Sequence, residues 1–351
     1  MKNLCLLVAF FVTIILPAQS TYTVDNKPNA KADFSNLQTA INTVTTGSIL
    51  LVQGSSTSYG GITIEKKITI KGTGYFLGEN PNTQKDFSES KVSSISLKAG
   101  SSGSTISGLY ATSWFKIFDG VSNISFIRNR VLYISHSGAA STNNLVKENY
   151  IIGYSQSNCS SCIRVAIALN DSEITGNYIG NSNFIQGTNL NIINNVLQQS
   201  IAVAPSSNFY CNANVKDSFI QNNIMNSAAA IPTNYNSSAV NNCGNSLRNN
   251  IFYHPSNTSQ ETDNFNNKLV IKSPFVDNSD NQYSTDGKYI LSSDSPAKGA
   301  GVGGVDCGMF AGGYKLSGIP DIPNIYEFNV PITGYSNSTG IQVNVKVKSN
   351  N

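Results

Sequence analysis

The sequence predicts an all-β chain wound into a parallel β-helix, and three observations lead there. Six segments share one frame around an asparagine: ISFIRNRVL (124–132), NLVKENYII (144–152), SEITGNYIG (172–180), NIINNVLQQ (191–199), SFIQNNIMN (218–226) and NSLRNNIFY (245–253). Aligned on Asn129, Asn149, Asn177, Asn195, Asn223 and Asn250, the residue three before is always apolar (Phe126, Val146, Ile174, Ile192, Ile220, Leu247). So is the residue two after (Val131, Ile151, Ile179, Leu197, Met225, Phe252). The intervals of 20, 28, 18, 28 and 27 residues suit one coil each, a constant unit with connections of varying length. No unit carries an amphipathic helical period, which excludes the helical repeat arrays. A single coil cannot bury its inner face, so neighbours about 4.8 Å away must complete the core.

In chain order, Lys2, the apolar run Leu4 to Leu16 and the small residues to Ser20 read as a secretory signal peptide. Cleavage is expected after Ser20, with Ala18 as the alternative. No later run is long and apolar enough to cross a bilayer, so the chain is expected to be secreted or held at a cell surface. Ser35 to Val44 reads as a short amphipathic helix, capped by Asp33 or Ser35, that covers the open end of the first coil. Strands follow at Ile49–Val52, Ile62–Ile64, Ile68–Ile70 and Ile95–Leu97, with 105–108 continuing the stack toward the regular repeats. The polar stretch Glu79 to Ser90 reads as an excursion from an early coil. Beyond the stiff run Gly318 to Pro323, Ile325–Val330 and Ile341–Val347 alternate as two strands. The expected organisation is a signal at 1–20, a β-helix over 21–314 and a small C-terminal β appendage over 315–351.

The asparagine suits the corner of such a coil. Its amide can bond nearby backbone and tolerates unusual dihedrals, and amides stacked coil on coil can each donate to the next carbonyl. Asn129, Asn149, Asn177, Asn195, Asn223 and Asn250 are therefore expected to form a structural ladder.

Composition narrows the partners. Only 12% of the chain is charged, against about 25% in an ordinary globular protein, and the net charge of +3 falls by one when Lys2 leaves. There is no basic patch with interleaved aromatics to suggest nucleic acid. Of the 6 cysteines, five follow the signal: Cys159, Cys162, Cys211, Cys243 and Cys307. Export favours disulfides, so Cys159, Cys162, Cys211 and Cys243 are disulfide candidates with pairing open.

Several segments resemble one known group. Phe34 with the LeuGlnThrAlaIle helix and GlySerIleLeuLeuVal strand, followed by IleThrIleLysGly at 68–72, is similar to the opening of pectin-lyase-like right-handed parallel β-helix proteins. The Asn-centred coils resemble that superfamily's repeats. Lys272–Val276, Tyr289–Leu291, Ser295–Ala297 and Asp306–Phe310 look like its closing coil. The tail resembles one found on secreted β-helix proteins of the Bacteroidetes. The resemblance covers roughly residues 30 to 313 and implies a right-handed, single-stranded parallel β-helix with a helical N-terminal cap, in an exported bacterial protein. It implies polysaccharide as the partner class. The Asn-Thr-Asp, paired-Asp and Gly-His-Gly combination of polygalacturonases is absent.

Catalysis on a glycan would need clustered carboxylates. An inverting glycosidase places two about 6.5–9.5 Å apart, and a lyase needs a base and often calcium. Asp171 and Asp217 each stand six residues before a repeat asparagine, which predicts one column, two coils or roughly 9–10 Å apart, with Asn189 between. With Asp119 and Arg164 they form the catalytic candidates. Tyr150 and Tyr178, each following a repeat asparagine, and Arg130 are the carbohydrate-binding candidates, as a flat aromatic patch; inter-coil stacking is the plainer explanation. Arg128 and Glu148 suggest an inter-coil ion pair at the surface. His136 and His254 lack metal-ligand spacing, and no metal or cofactor is expected, calcium excepted if the chain is a lyase. The expectation is a monomeric protein that binds or scaffolds polysaccharide. The rivals are a polysaccharide lyase or glycoside hydrolase, and a structural or adhesin-like surface protein.

Overall fold

The computed structural model describes residues 19–138, 141–153, 166–180, 185–198, 215–226, 243–257, 260–331, 333 and 340–349. Parallel pairing puts the two apolar columns into register. Phe126 faces Val146, then Ile174, Ile192, Ile220 and Leu247 in succession. Val131 likewise leads through Ile151, Ile179, Leu197 and Met225 to Phe252. Both columns are almost wholly excluded from solvent and belong to one core cluster running through the coils. The coils build two sheets among the described residues. One, sheet A, has ten strands; the other, sheet B, has fifteen. Sheet B bends over a corner. Strand Arg130–His136 pairs Tyr150–Ile151 through its first half and Ile167–Ala168 through its second. The architecture is an all-β parallel solenoid.

The corner between the sheets explains the asparagines. The residue before each lies in the left-handed region: Arg128, Glu148, Gly176, Asn194, Asn222, Asn249 and Asn266 have φ between 53° and 65°, and Gly108, before Leu109 in the preceding coil, has φ 66°. The backbone turns sharply there and leaves amides facing inward. Each ladder side chain then spans two coils. Asn149 donates its N–H (2.8 Å) and Nδ2 (3.0 Å) to Asn177 Oδ1, and the same pair of bonds links Asn129 to Asn149, Asn177 to Asn195, Asn195 to Asn223 and Asn223 to Asn250. Asn250 donates in turn to Asn267, one coil beyond the last repeat read from the sequence. At the other end Leu109 N donates to Asn129 Oδ1. The buried ladder amides are thereby satisfied from coil to coil.

The N-terminal helix is shorter than expected, Leu37–Thr43. Its cap is Asn36, whose side chain accepts from Thr39 N at 2.9 Å, rather than Asp33 or Ser35. Asp33 instead bonds Thr23. Leu37, Ala40 and Ile41 are buried against the first coils.

The region that looks like a closing coil does something else. Residues 297–321 form a strap that runs back along the asparagine corner. Asn249 Nδ2 donates to Ala300 O, and Gly308 N to Asn222 O. Gly312 lies so close to Gly176 that an added Cβ would sit 2.5 Å from its Cα. Arg128 Nη1 donates to Ile319 O, and Lys71 pairs with Asp321 at 3.2 Å. Asp286, fully buried, accepts from Tyr314 Oη, Ser317 N, Asn80 Nδ2 and Ser284 Oγ, tying together the strap, the excursion and the closing loop at 271–296. Beyond the strap, Asn324–Asn329 and Asn344–Lys348 pair as an antiparallel hairpin. It is anchored by Lys85 N on Ile325 O.

No complete disulfide is present among the described residues, which corrects the expectation of a disulfide there. Cys159, Cys162 and Cys211 lie outside them, and Cys307 is a buried free thiol. Cys243 is not a free thiol, but its bond does not lead to another described residue.

Candidate functional site

The acidic candidates sit at the opposite corner, where each coil enters sheet A. Asn123, Asn143, Asp171, Asn189 and Asp217 all take positive φ there (62°, 60°, 45°, 56° and 47°). Their backbones hold the turn: Asn143 N donates to Asp171 O, Asp171 N to Thr188 O, Asn189 N to Lys216 O and Asp217 N to Cys243 O. Asn189 Nδ2 also bonds Asp171 Oδ1 at 2.8 Å. The column therefore exists, with Asn189 between the two aspartates, and these side chains belong to a turn that short polar residues adopt readily. Asp119 stands off this column, against Gly138. Arg164 lies outside the described residues. Among the described residues no group of three His, Cys, Asp or Glu is placed to hold a metal ion. His136 ends a strand with its ring on Gly138 O and, at 3.5 Å, Asn170.

Tyr150 and Tyr178 are not an exposed patch. They point out of sheet B, but the strap and closing loop cover that outer face. Each is only 8% exposed, within a second apolar cluster that includes Tyr75, Phe76, Tyr289, Met309 and Tyr314. Their rings stack at 4.4 Å, and Tyr289 stacks on Tyr178 at 4.6 Å. Burial pushes both phenols above the usual range. Arg130 completes the stack, its guanidinium 4.2 Å from the Tyr110 ring centroid and 4.5 Å from that of Phe76. The aromatic-patch expectation is thus replaced by an aromatic seam under cover.

What remains open is the outer face of sheet A. Strand alternation turns one set of side chains outward there: Ile49, Thr69, Thr105, Ser125 and Leu145 in one row, Lys71, Ser107, Ile127 and Lys147 in the next. Between these rows and the strap's Pro320 and Asp321 lies a groove of about 430 Å³. Arg128 and Glu148 form its floor. Their ion pair is 2.6 Å long, with side chains only 12% and 4% exposed, so it is a buried pair and not the surface pair the sequence suggested. Both hold left-handed backbone at φ 55° and 57°, where asparagine or glycine stands in later coils; for such residues this conformation costs about 1–2 kcal/mol. Lys147 reaches Glu148 at 3.3 Å. Burial pushes the Asp321 carboxyl up, but the bond and charge of Lys71 outweigh it and hold it below the usual carboxylate range. Sequence reading passed over Thr69, Lys71, Thr105 and Ser107, although the ThrIleLys and ThrIleSer alternation already marked them as outward.

No family model matches the sequence, and no curated protein matches it. Among solved structures, a PL6-family polysaccharide lyase from Pseudopedobacter saltans is similar over 77% of this chain and 96% of its own, at 13% identity and a TM-score of 0.19. A likeness that slight bears on neither activity nor substrate.

Proposed function

We propose that the protein is an exported β-helix that binds polysaccharide along the outer face of sheet A. The observation that carries this reading is the groove itself: hydroxyl side chains repeat coil after coil on a flat parallel surface, walled by the strap and floored by a fixed ion pair. An elongated polymer with a regular hydroxyl pattern is the ligand such a surface suits. Binding is favoured over catalysis because the groove's two carboxylates, Glu148 and Asp321, are both engaged by cations. The acidic column lies at the opposite corner. In this reading residues 21–314 form the binding solenoid, and the tail from 315 supplies the groove wall through Pro320 and Asp321.

The test is a panel of purified polysaccharides, scored for retention of the mature protein, release of reducing ends and formation of unsaturated product. Retention without either product is expected. Turnover that Asp171→Asn or Asp217→Asn abolishes would replace this reading with the enzymatic one.

A further inference from the structure

Resting on that reading, we infer that the glycan bound in the sheet A groove is uncharged. Charge is nearly balanced at the surface the polymer would touch. The groove holds three cations, Lys71, Arg128 and Lys147, and two carboxylates, Glu148 and Asp321. Every one of the five is in an ion pair: Lys71 with Asp321 at 3.2 Å, Arg128 with Glu148 at 2.6 Å, Lys147 with Glu148 at 3.3 Å. The net charge is therefore +1, spread over a groove several coils long.

A polyanionic chain presents a charge on each repeat and would need a matching row of cations. The register offers none: between Lys71 and Lys147 the same row carries Ser107 and Ile127, and the neighbouring row carries Ile49, Thr69, Thr105 and Ser125. To take a sugar carboxylate, Lys71 would have to release Asp321, or Arg128 would have to release the nearly buried Glu148 and leave it only the more exposed Lys147, a cost that a buried carboxylate makes large.

The remaining chemistry suits neutral sugar. Thr69 and Thr105 can donate and accept, matching hydroxyls that do the same, while Ser107 is buried beneath them with its Oγ on Ile70 O. Ile49, Ile127 and Pro320 supply apolar contact for the C–H faces of the rings. From the row of Ile49 to that of Leu145 there are four inter-coil steps, so the ligand lies along the solenoid axis over about 19 Å, the length of a short oligosaccharide segment.

The experiment is native affinity electrophoresis of the full-length mature protein through gels holding a set of polyuronates, each beside its carboxyl-reduced, uncharged counterpart, and a set of natural neutral glycans. Gels are run at low salt and at about 0.5 M salt, where charge attraction is screened within a few ångströms. Retardation by at least one neutral polymer is expected, unchanged by salt. It should be weakened roughly threefold or more by Thr105→Ala, as for a lost hydrogen bond, and little affected by Lys147→Gln. Urea midpoints for the variants separate lost contacts from lost fold. Salt-sensitive retardation by polyuronates alone, removed by Lys147→Gln, overturns the inference and leaves polysaccharide binding standing. No retardation by any polymer overturns the parent reading and this one with it.

Discussion

Replacing Asn177 by alanine removes two rungs of the ladder at once. The side chain is fully buried. Its Nδ2 donates to Val146 O (2.8 Å), Thr175 O (3.0 Å) and Asn195 Oδ1 (3.0 Å), and its Oδ1 accepts Asn149 N (2.8 Å) and Nδ2 (3.0 Å). Alanine takes these partners from the Asn149 N–H and the Val146 carbonyl inside the corner, where water does not reach. A buried group stripped of its partner costs about 1–3 kcal/mol, so the two together predict a loss near 4 kcal/mol. With a urea slope of about 3 kcal/mol/M for a chain of this size, the midpoint should fall by roughly 1 M. Circular dichroism in urea measures it. Asn191→Ala serves as the control, since that side chain faces solvent in the neighbouring strand and should shift stability by less than about 0.5 kcal/mol. Equal midpoints for the two variants would refute the claim that the ladder holds the corner.

Three further outcomes follow from the strap and an ion pair near the N-terminus. Gly312→Ala should lift the strap, because its Cβ would lie 2.5 Å from Gly176 Cα. Burial pushes the Cys307 thiol up to about 12, so site-resolved alkylation near pH 8 should be slow in the wild type and much faster in that variant; identical rates would contradict the packing. Asp286→Leu keeps the branched outline, with somewhat more bulk, but removes the acceptor of four hydrogen bonds, and should likewise expose Cys307 before the coils unfold. Burial pushes Asp86 up, yet its bonds from Lys27 and Ser88 bring it down to about 2. Because the folded value lies below the ordinary 3.8, its stabilisation is complete above that pH and is lost as pH falls toward 2. Lys27→Gln should flatten this part of the acid-unfolding curve, and an unchanged curve would discount the pair, whose carboxylate is half exposed and worth little on that ground.

The coil was legible because its forces are local and repeated. Inward residues three before and two after the asparagine must stack on their equivalents, so Phe126 and Val131 already carried the register of their neighbours. The strap was not legible because its contacts join residues far apart in sequence, such as Tyr75 with Tyr314 and Gly176 with Gly312. A signal was nevertheless present. The position just after the ladder residue is also apolar in Tyr150, Tyr178, Val196, Ile224 and Ile251, and strands apolar on both faces are covered on both faces. The aromatic candidates failed as a surface patch for that reason. The aspartate column was placed correctly along the coil, but spacing alone does not distinguish a catalytic face from a left-handed turn, and the φ values of 45° and 47° at Asp171 and Asp217 make it a turn.

The most direct test of the account is hydrogen exchange, read by mass spectrometry, on the protein with and without the neutral glycan that retards it most. The account predicts protection in peptides carrying Thr69, Thr105, Lys147 and Pro320, with exchange around Tyr178 and Asp217 unchanged. Protection centred on the Asp171 and Asp217 corner, with the sheet A groove unaffected, would contradict it.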